Sequence, residues 1–190
     1  MPQTLGYHYV RSAYGQWLPG DGRGHWSEAW DKQIGYIEPH MLHDGDPMRK
    51  RMAEERMKCP AVRWSAEMVG AIAKAIAECA NSSPWTIVAA SIEPTHLHIA
   101  ISYSPLNIER TVKWIGQEMT KAVHRETSHV GPVFCKGRWL EFIFDEPHWR
   151  NVIRYIETHN VRRGVEARPY SWMNRSTRCH SNPSLKSGCP

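Results

Sequence analysis

The chain contains 190 residues, of which 41% are hydrophobic and 23% are charged, and it carries a net charge of +5. This composition is typical of a globular protein and argues against a disordered one. The five cysteines are scattered without a C-x-x-C pair, which argues against a zinc ribbon or a disulfide framework. No apolar run approaches bilayer length, so we expect a cytoplasmic protein with no membrane partner. The positive charge favours a polyanionic partner.

Local patterns predict seven elements in the order strand, helix, strand, strand, helix, strand, helix. The strands are expected at 4–11, 85–92, 96–103 and 139–144, and the helices at 65–80, from 104 onward and from 147 to about 161. This order predicts an α+β fold, a ferredoxin-like βαββαβ sandwich with an antiparallel four-stranded sheet and an extra C-terminal helix. Its usual spatial strand order is 4-1-3-2, which makes the third strand central.

Three segments lie outside this pattern. Residues 14–26 are rich in Gly and Pro and are predicted to form a loop with several turns. Residues 27–60 are irregular and charged, and we interpret them as a partly helical insertion. The segment 173–190 is basic and is expected to be a disordered tail. We therefore predict one domain over 1–172 that contains the insertion.

Two histidines, His96 and His98, lie one residue apart in the predicted third strand. Because successive strand side chains alternate, both imidazoles emerge on the same face and can reach a single ion. Two histidine ligands leave most of a coordination sphere open, as a catalytic metal site requires. The alternative is a pair of hydrogen-bonded core histidines, which is the commoner case for a short His-x-His string.

The last predicted helix carries Tyr155 and His159 four residues apart, one turn above the other at the edge of its apolar stripe. A divalent ion held by His96, His98 and His159 would polarise a phosphate, and Tyr155 would attack the phosphorus. Arg162 would steady the phosphate. The alternatives are a tyrosine at the boundary with solvent and a histidine favoured by the helix C-terminus.

Three motifs carry a resemblance to a known family. The string PTHLHI resembles the His-hydrophobe-His (HUH) motif of single-tyrosine transposases, and RYIETHNVRRG resembles their tyrosine helix, in particular that of the REP-associated tyrosine transposases (RAYT). The early string YGQWLPGDGRG resembles a segment near the start of transposases of that group. The matches run in the family's order and span most of residues 1–172.

The resemblance implies a transposase that binds single-stranded or hairpin DNA in the nucleoid and cleaves it with Mg²⁺ or Mn²⁺ through a 5′-phosphotyrosine. It implies that His96 and His98 are metal ligands and that Tyr155 is the nucleophile. His159 stands where relatives have a Gln or Asn ligand, so Mn²⁺ is relatively favoured. Asn160 precedes Val161 where Pro is usual, which leaves the geometry of the last turn undetermined. Relatives include both homodimers and monomers.

Trp17 and Arg23 have two interpretations. Pro19 and Gly20 belong to a turn that Trp17 anchors, which is the structural interpretation. In the functional interpretation, Trp17 and Arg23 grip a DNA base or backbone.

Three other functions remain open at this point. One is a domesticated, non-cleaving nucleic-acid-binding protein of the same fold. Another is a histidine-triad phosphoesterase, which is disfavoured because its third alternate position is Ala100. The last is an α+β domain with incidental histidines.

Overall fold

The computed structural model describes residues 3–23 and 44–174. Its strands are β1 (Gly6–Ser12), β2 (Ile87–Ile92), β3 (His96–Ser102) and β4 (Trp139–Ile143), and its helices are α1 (Pro47–Glu55), α2 (Ala66–Asn81), α3 (Ile108–Glu126), α4 (Glu146–Arg162) and a short 3-10 helix at Ser171–Asn174. The strands form one antiparallel sheet in the order β2-β3-β1-β4. The predicted ferredoxin-like α+β fold and its central third strand are therefore confirmed.

The two faces of the sheet are covered by different helices. On one face, alternate residues such as Tyr9 of β1 and Ile99 of β3 form the larger core with α2 and α3. On the other face, α4 packs through Val152 and Ile156 in a smaller apolar cluster that includes Ala100 of β3. His96 and His98 share the face of Ala100, so they lie on the side of the sheet that α4 covers.

Both ends of α4 are fixed by specific contacts. At its start, the Asp145 side chain caps the helix by accepting a hydrogen bond from the backbone N–H of His148. Trp149 packs against β1 at Gly6, where a Cβ would lie 2.7 Å from its ring, so glycine is required for this close approach. At its end, Asn160 Nδ2 donates to the carbonyl oxygens of Ala90 and Ala167, both at 2.9 Å.

Most predicted boundaries agree with the structure to within two residues, but α3 begins four residues later than expected. Pro105 suggested an early start, whereas Asn107 is the N-cap and its side chain accepts from the N–H of Arg110. Ser104 instead accepts from the N–H of Leu106 and stabilises a turn before the helix. A capping Asn therefore decides the boundary over a helix-compatible Pro.

The predicted insertion at 27–60 is described only from residue 44, and this part contains α1, in agreement with the partly helical interpretation. The predicted disorder of the tail concerns residues that lie almost wholly outside the described ranges. Met173 is buried in the larger core, and the division of the chain at 172 and 173 stays a prediction. None of the helices in residues 3–23 and 44–174 has the length and apolar character needed to traverse a bilayer.

Candidate active site

The paired histidines of β3 and the last turn of α4 come together on one side of the sheet. His96 and His98 are buried, and His159 lies over them because α4 crosses this face. One nitrogen from each of the three imidazoles lies within 4.8 Å of those of the other two. Nitrogen ligands bind a divalent ion at about 2.1 Å, so small side-chain movements would bring all three into coordination distance of one ion.

Each of the three imidazoles uses its Nδ1 atom in a contact within the protein. His96 Nδ1 lies 3.0 Å from Thr95 Oγ1, His98 Nδ1 lies 3.1 Å from His8 Nε2, and His159 Nδ1 lies 2.5 Å from Glu93 Oε1. This leaves the Nε2 atoms to face an ion, although that of His96 also lies 4.0 Å from Glu93 Oε1. His98 Nε2 is buried and has no hydrogen-bond partner among the described residues. A buried polar atom without a partner is costly, and metal coordination would remove that cost. The donor set fits a divalent cation.

Burial also keeps the central imidazoles neutral. It lowers the pKa of His98 well below its ordinary value, and the neighbouring His96 and His8 lower it further. Burial lowers the pKa of His96 as well, although the nearby Glu93 carboxylate opposes this shift. Neutral imidazoles have the free lone pair that a metal ligand needs.

Tyr155 lies beside this cluster and reaches solvent. Its ring centroid is 5.3 Å from that of His98 and 4.6 Å from that of His159, and 48% of the residue is exposed. Partial burial raises the pKa of the Tyr155 phenol, Glu93 raises it further, and the positive charge of Arg162 lowers it. Without an added cation the phenol therefore keeps its proton at neutral pH.

The loop after β1 forms another wall of the site. The Trp17 ring packs edge-on against His96 with centroids 5.3 Å apart, and the Arg23 guanidinium covers it at 4.1 Å. Arg23 also binds both carboxylate oxygens of Asp21, at 2.8 and 3.0 Å. Trp17 has a φ of 55°, a conformation that costs a non-glycine residue about 1–3 kcal/mol. Packing against Arg23 and His96 offsets this strain.

The structure thus brings His96, His98, His159 and Tyr155 together, with Trp17 against His96. Arg23 lies behind Trp17 and pairs with Asp21, and Arg162 is exposed on α4. Their roles in catalysis, metal binding and DNA binding remain predictions.

Sequence reasoning missed three residues of this site, namely Glu93, His8 and Glu141. Glu93 lies close in sequence to the paired histidines, and its carboxylate approaches both His159 and His96. His8 is far away in sequence but lies next to β3 through the pairing of β1, in which Val10 faces His98 and His8 faces Ala100. The signal that identifies His8 and Glu141 is strand register, which requires the sheet order to be known.

The sequence of residues 56–159, more than half of the chain, matches the family described as Transposase IS200 like. The chain belongs to the IS200-like transposase family. The matched range ends at His159 and includes β3 and most of α4. The family match confirms the expectation of an insertion-sequence transposase-like protein.

Two solved structures are similar to this IS200-like transposase. One is a REP-associated tyrosine transposase bound to a REP hairpin, with 12% identity and a TM-score of 0.49 over 86% of this chain and 72% of the other. Another is a putative transposase from Deinococcus radiodurans R1, with 13% identity and a TM-score of 0.39 over 84% of this chain and 93% of the other. No curated protein matches the chain.

Proposed function

We propose that this IS200-like transposase cleaves and rejoins single-stranded or hairpin DNA in a metal-dependent reaction with a covalent 5′-phosphotyrosine intermediate. The observation that carries the proposal is the convergence of three imidazoles and one partly exposed phenol on a single face of the sheet. Family membership supports the substrate class, because transposases act on DNA. Assignment to the REP-associated group rests on the sequence motifs alone.

In this proposal His96, His98 and His159 hold Mg²⁺ or Mn²⁺ through their Nε2 atoms. When bound, the ion would supply positive charge that polarises the scissile phosphate and favours the phenolate. Three imidazole ligands leave coordination positions open for substrate oxygens. This is typical of a catalytic rather than a structural metal site. Thr95 and Glu93 orient two of the rings through their Nδ1 contacts.

Tyr155 is the nucleophile. Its hydroxyl loses a proton to solvent water, its oxygen forms a bond to phosphorus, and the bond from phosphorus to the 3′ oxygen of the preceding nucleotide breaks. The departing 3′ oxygen takes up a proton. Rejoining reverses these steps when a 3′ hydroxyl attacks the phosphotyrosine. The exposed position of the Tyr155 ring supports this role, because a DNA strand can approach it from solvent.

Three further residues are proposed to hold DNA. Arg162 lies on the same helix as Tyr155, and its charge acts on the phenol, so a phosphate bound at Tyr155 would also feel it. Trp17 offers an aromatic surface next to His96, suited to stacking with an unpaired base. Arg23 keeps that surface in place by covering it and binding Asp21, and its exposed edge suits a backbone phosphate.

The test is an incubation of the purified protein with a labelled hairpin oligonucleotide and Mn²⁺, followed by denaturing electrophoresis. We expect a covalent protein–DNA adduct that disappears in Tyr155→Phe and persists in Tyr103→Phe, because Tyr103 is equally exposed but follows the last residue of β3, outside the cluster. Persistence of the adduct in Tyr155→Phe would overturn the role of Tyr155. DNA binding without any adduct in the unmodified protein would favour a non-cleaving DNA-binding protein.

A further inference from the structure

His98, the most deeply buried of the proposed ligands, does not contact the backbone or a carboxylate through its second nitrogen. Its Nδ1 atom lies 3.1 Å from Nε2 of another histidine, His8 on β1. His8 Nδ1 in turn lies 3.6 Å from Glu141 Oε2 on β4, and Glu141 Oε1 lies 3.4 Å from His148 Nε2 on α4. A series of neighbouring polar side chains therefore runs from the proposed metal site to the edge of the sheet.

The positions of the protons in this series follow from which atoms can donate a hydrogen bond. A carboxylate only accepts, so Glu141 favours a proton on Nδ1 of His8. The neutral His8 ring then has a lone pair on Nε2, which accepts a hydrogen bond from His98 Nδ1. With its proton on Nδ1, a neutral His98 has its lone pair on Nε2, the buried atom that lacks a partner among the described residues.

We propose that His8 and Glu141 are positioning residues that fix the tautomer of His98, so that its Nε2 lone pair faces the ion of the proposed nuclease site. Metal-ligating histidines usually donate directly to a carboxylate or a carbonyl. Here a second imidazole is inserted between the ligand and the carboxylate. The role of this tautomer in metal binding rests on the proposed function. The tautomer itself is a property of the metal-free protein.

Burial supports this assignment because it favours neutral rings. His8 is buried, and this burial lowers its pKa, although the Glu141 carboxylate opposes the shift. The strand pairing fixes the geometry, since His8 lies opposite Ala100 of β3 on one side and opposite Glu141 of β4 on the other. The central position of β1 between β3 and β4 is thus what connects ligand and carboxylate.

The first experiment measures the histidine tautomers by ¹⁵N NMR in the metal-free protein at a pH above the histidine pKa values. We expect His98 to carry its proton on Nδ1 in the unmodified protein. In His8→Phe, which removes the acceptor but retains a ring, a population with the proton on Nε2 should appear. An Nε2–H tautomer in the unmodified protein, or an unchanged tautomer in His8→Phe, would overturn the proposal.

The second experiment measures Mn²⁺ affinity by titration calorimetry. We expect about a tenfold loss in His8→Phe and in Glu141→Gln, in line with the effect of removing outer-shell partners. His8→Asn keeps a side-chain oxygen that accepts from His98 and should recover part of the lost affinity. Glu157→Gln is the matched control, because the Glu157 carboxylate on α4 binds Arg168 and not a histidine that connects to the proposed metal site.

The two proposals fail in different ways. If the unmodified protein binds no Mn²⁺ while the NMR tautomer is as expected, the nuclease function fails and the tautomer assignment stands. If the protein binds Mn²⁺ and forms the adduct while His8→Phe, folded by circular dichroism, matches it in affinity, the positioning role fails and the nuclease function stands. Equal affinity losses in Glu141→Gln and Glu157→Gln would show a general charge effect and also contradict the positioning role.

Discussion

His159 stands where the family resemblance implies an amide ligand, and it has a specific partner. Its Nδ1 atom is bound by Glu93, which leaves Nε2 for an ion. Imidazole is a softer ligand than an amide oxygen, so it suits Mn²⁺ better than Mg²⁺. The substitution is therefore expected to alter the metal preference rather than to abolish metal binding.

We predict that His159→Gln lowers the ratio of Mn²⁺ affinity to Mg²⁺ affinity, because an amide oxygen replaces an imidazole nitrogen. Calorimetric titration with each metal measures the ratio. His124→Gln is the control, since His124 is exposed on α3 and binds the carbonyl of Gly131. A ratio that stays constant in His159→Gln would indicate that this side chain does not contact the ion.

Asp21 is predicted to make stability depend on acidic pH. Its hydrogen bonds with the Arg23 side chain lower its pKa from 3.8 to about 2. Since the folded pKa lies below the unfolded one, the stabilisation is present above about pH 4 and is lost as the pH falls towards 2. Thermal unfolding at pH 5 and pH 3 should therefore show a smaller drop in Tm for Asp21→Asn than for the unmodified protein. Equal drops in Tm for the two proteins would contradict the stabilising role of the Asp21 carboxylate.

At the scale of elements, α4 is the part that completes the site, and its last turn has defined attachments. The side chain of Asn160 is almost fully buried and ties the helix to β2 and to the following loop. The Arg163 guanidinium donates to the carbonyl of Ile92 at 2.6 Å. The Asn that stands in place of the expected Pro thus fixes the helix end by hydrogen bonds, which answers the question that the sequence left open.

We predict that Asn160→Ala lowers the free energy of unfolding by about 2 kcal/mol, because buried carbonyl groups lose their donors. Mn²⁺ affinity should fall as well, since His159 is the preceding residue. Urea unfolding and calorimetry measure the two effects. Thr158→Ala is the matched control, because its exposed hydroxyl only donates back to the carbonyl of Arg154 within the helix. Equal stabilities of the two variants would contradict the role of Asn160.

Periodicity was sufficient to predict the helices and strands and the three imidazoles and the phenol of the site. Strand alternation places His96 and His98 on one face, and helical spacing places Tyr155 above His159, because both periods are local properties. The N-cap at Asn107 was missed because a neighbouring Pro gave a competing local signal. His8 and Glu141 lie 90 and 43 positions from His98 in sequence. Their proximity depends on the strand order and register, which no local pattern contains.

At the scale of the whole molecule, one chain contains every group of the proposed site. Tyr155 and the three imidazoles come from β3 and α4 of the same polypeptide. Homodimer formation stays a prediction, but no second chain is needed to bring the phenol to the histidines. This arrangement differs from one in which two chains exchange their tyrosine helices.

We therefore predict that a mixture of Tyr155→Phe and His98→Ala proteins forms no covalent DNA adduct, because neither chain holds a complete site. Adduct formation is measured on the mixture and on each variant alone, and an equal mixture of unmodified and Tyr155→Phe protein is the positive control. Recovery of the adduct in the mixed variants would show that the tyrosine acts on the metal site of another chain.

The position of β1 has a consequence for how this protein is produced. The segment that matches the transposase family starts at residue 56, whereas β1 starts at Gly6 and provides the strand that joins β4 to the rest of the sheet. A gene trimmed to the family boundaries would encode a polypeptide with a gap in the middle of its sheet and two unpaired edges prone to aggregation. We therefore expect expression of soluble material to require the N-terminal segment, even though the family match omits it.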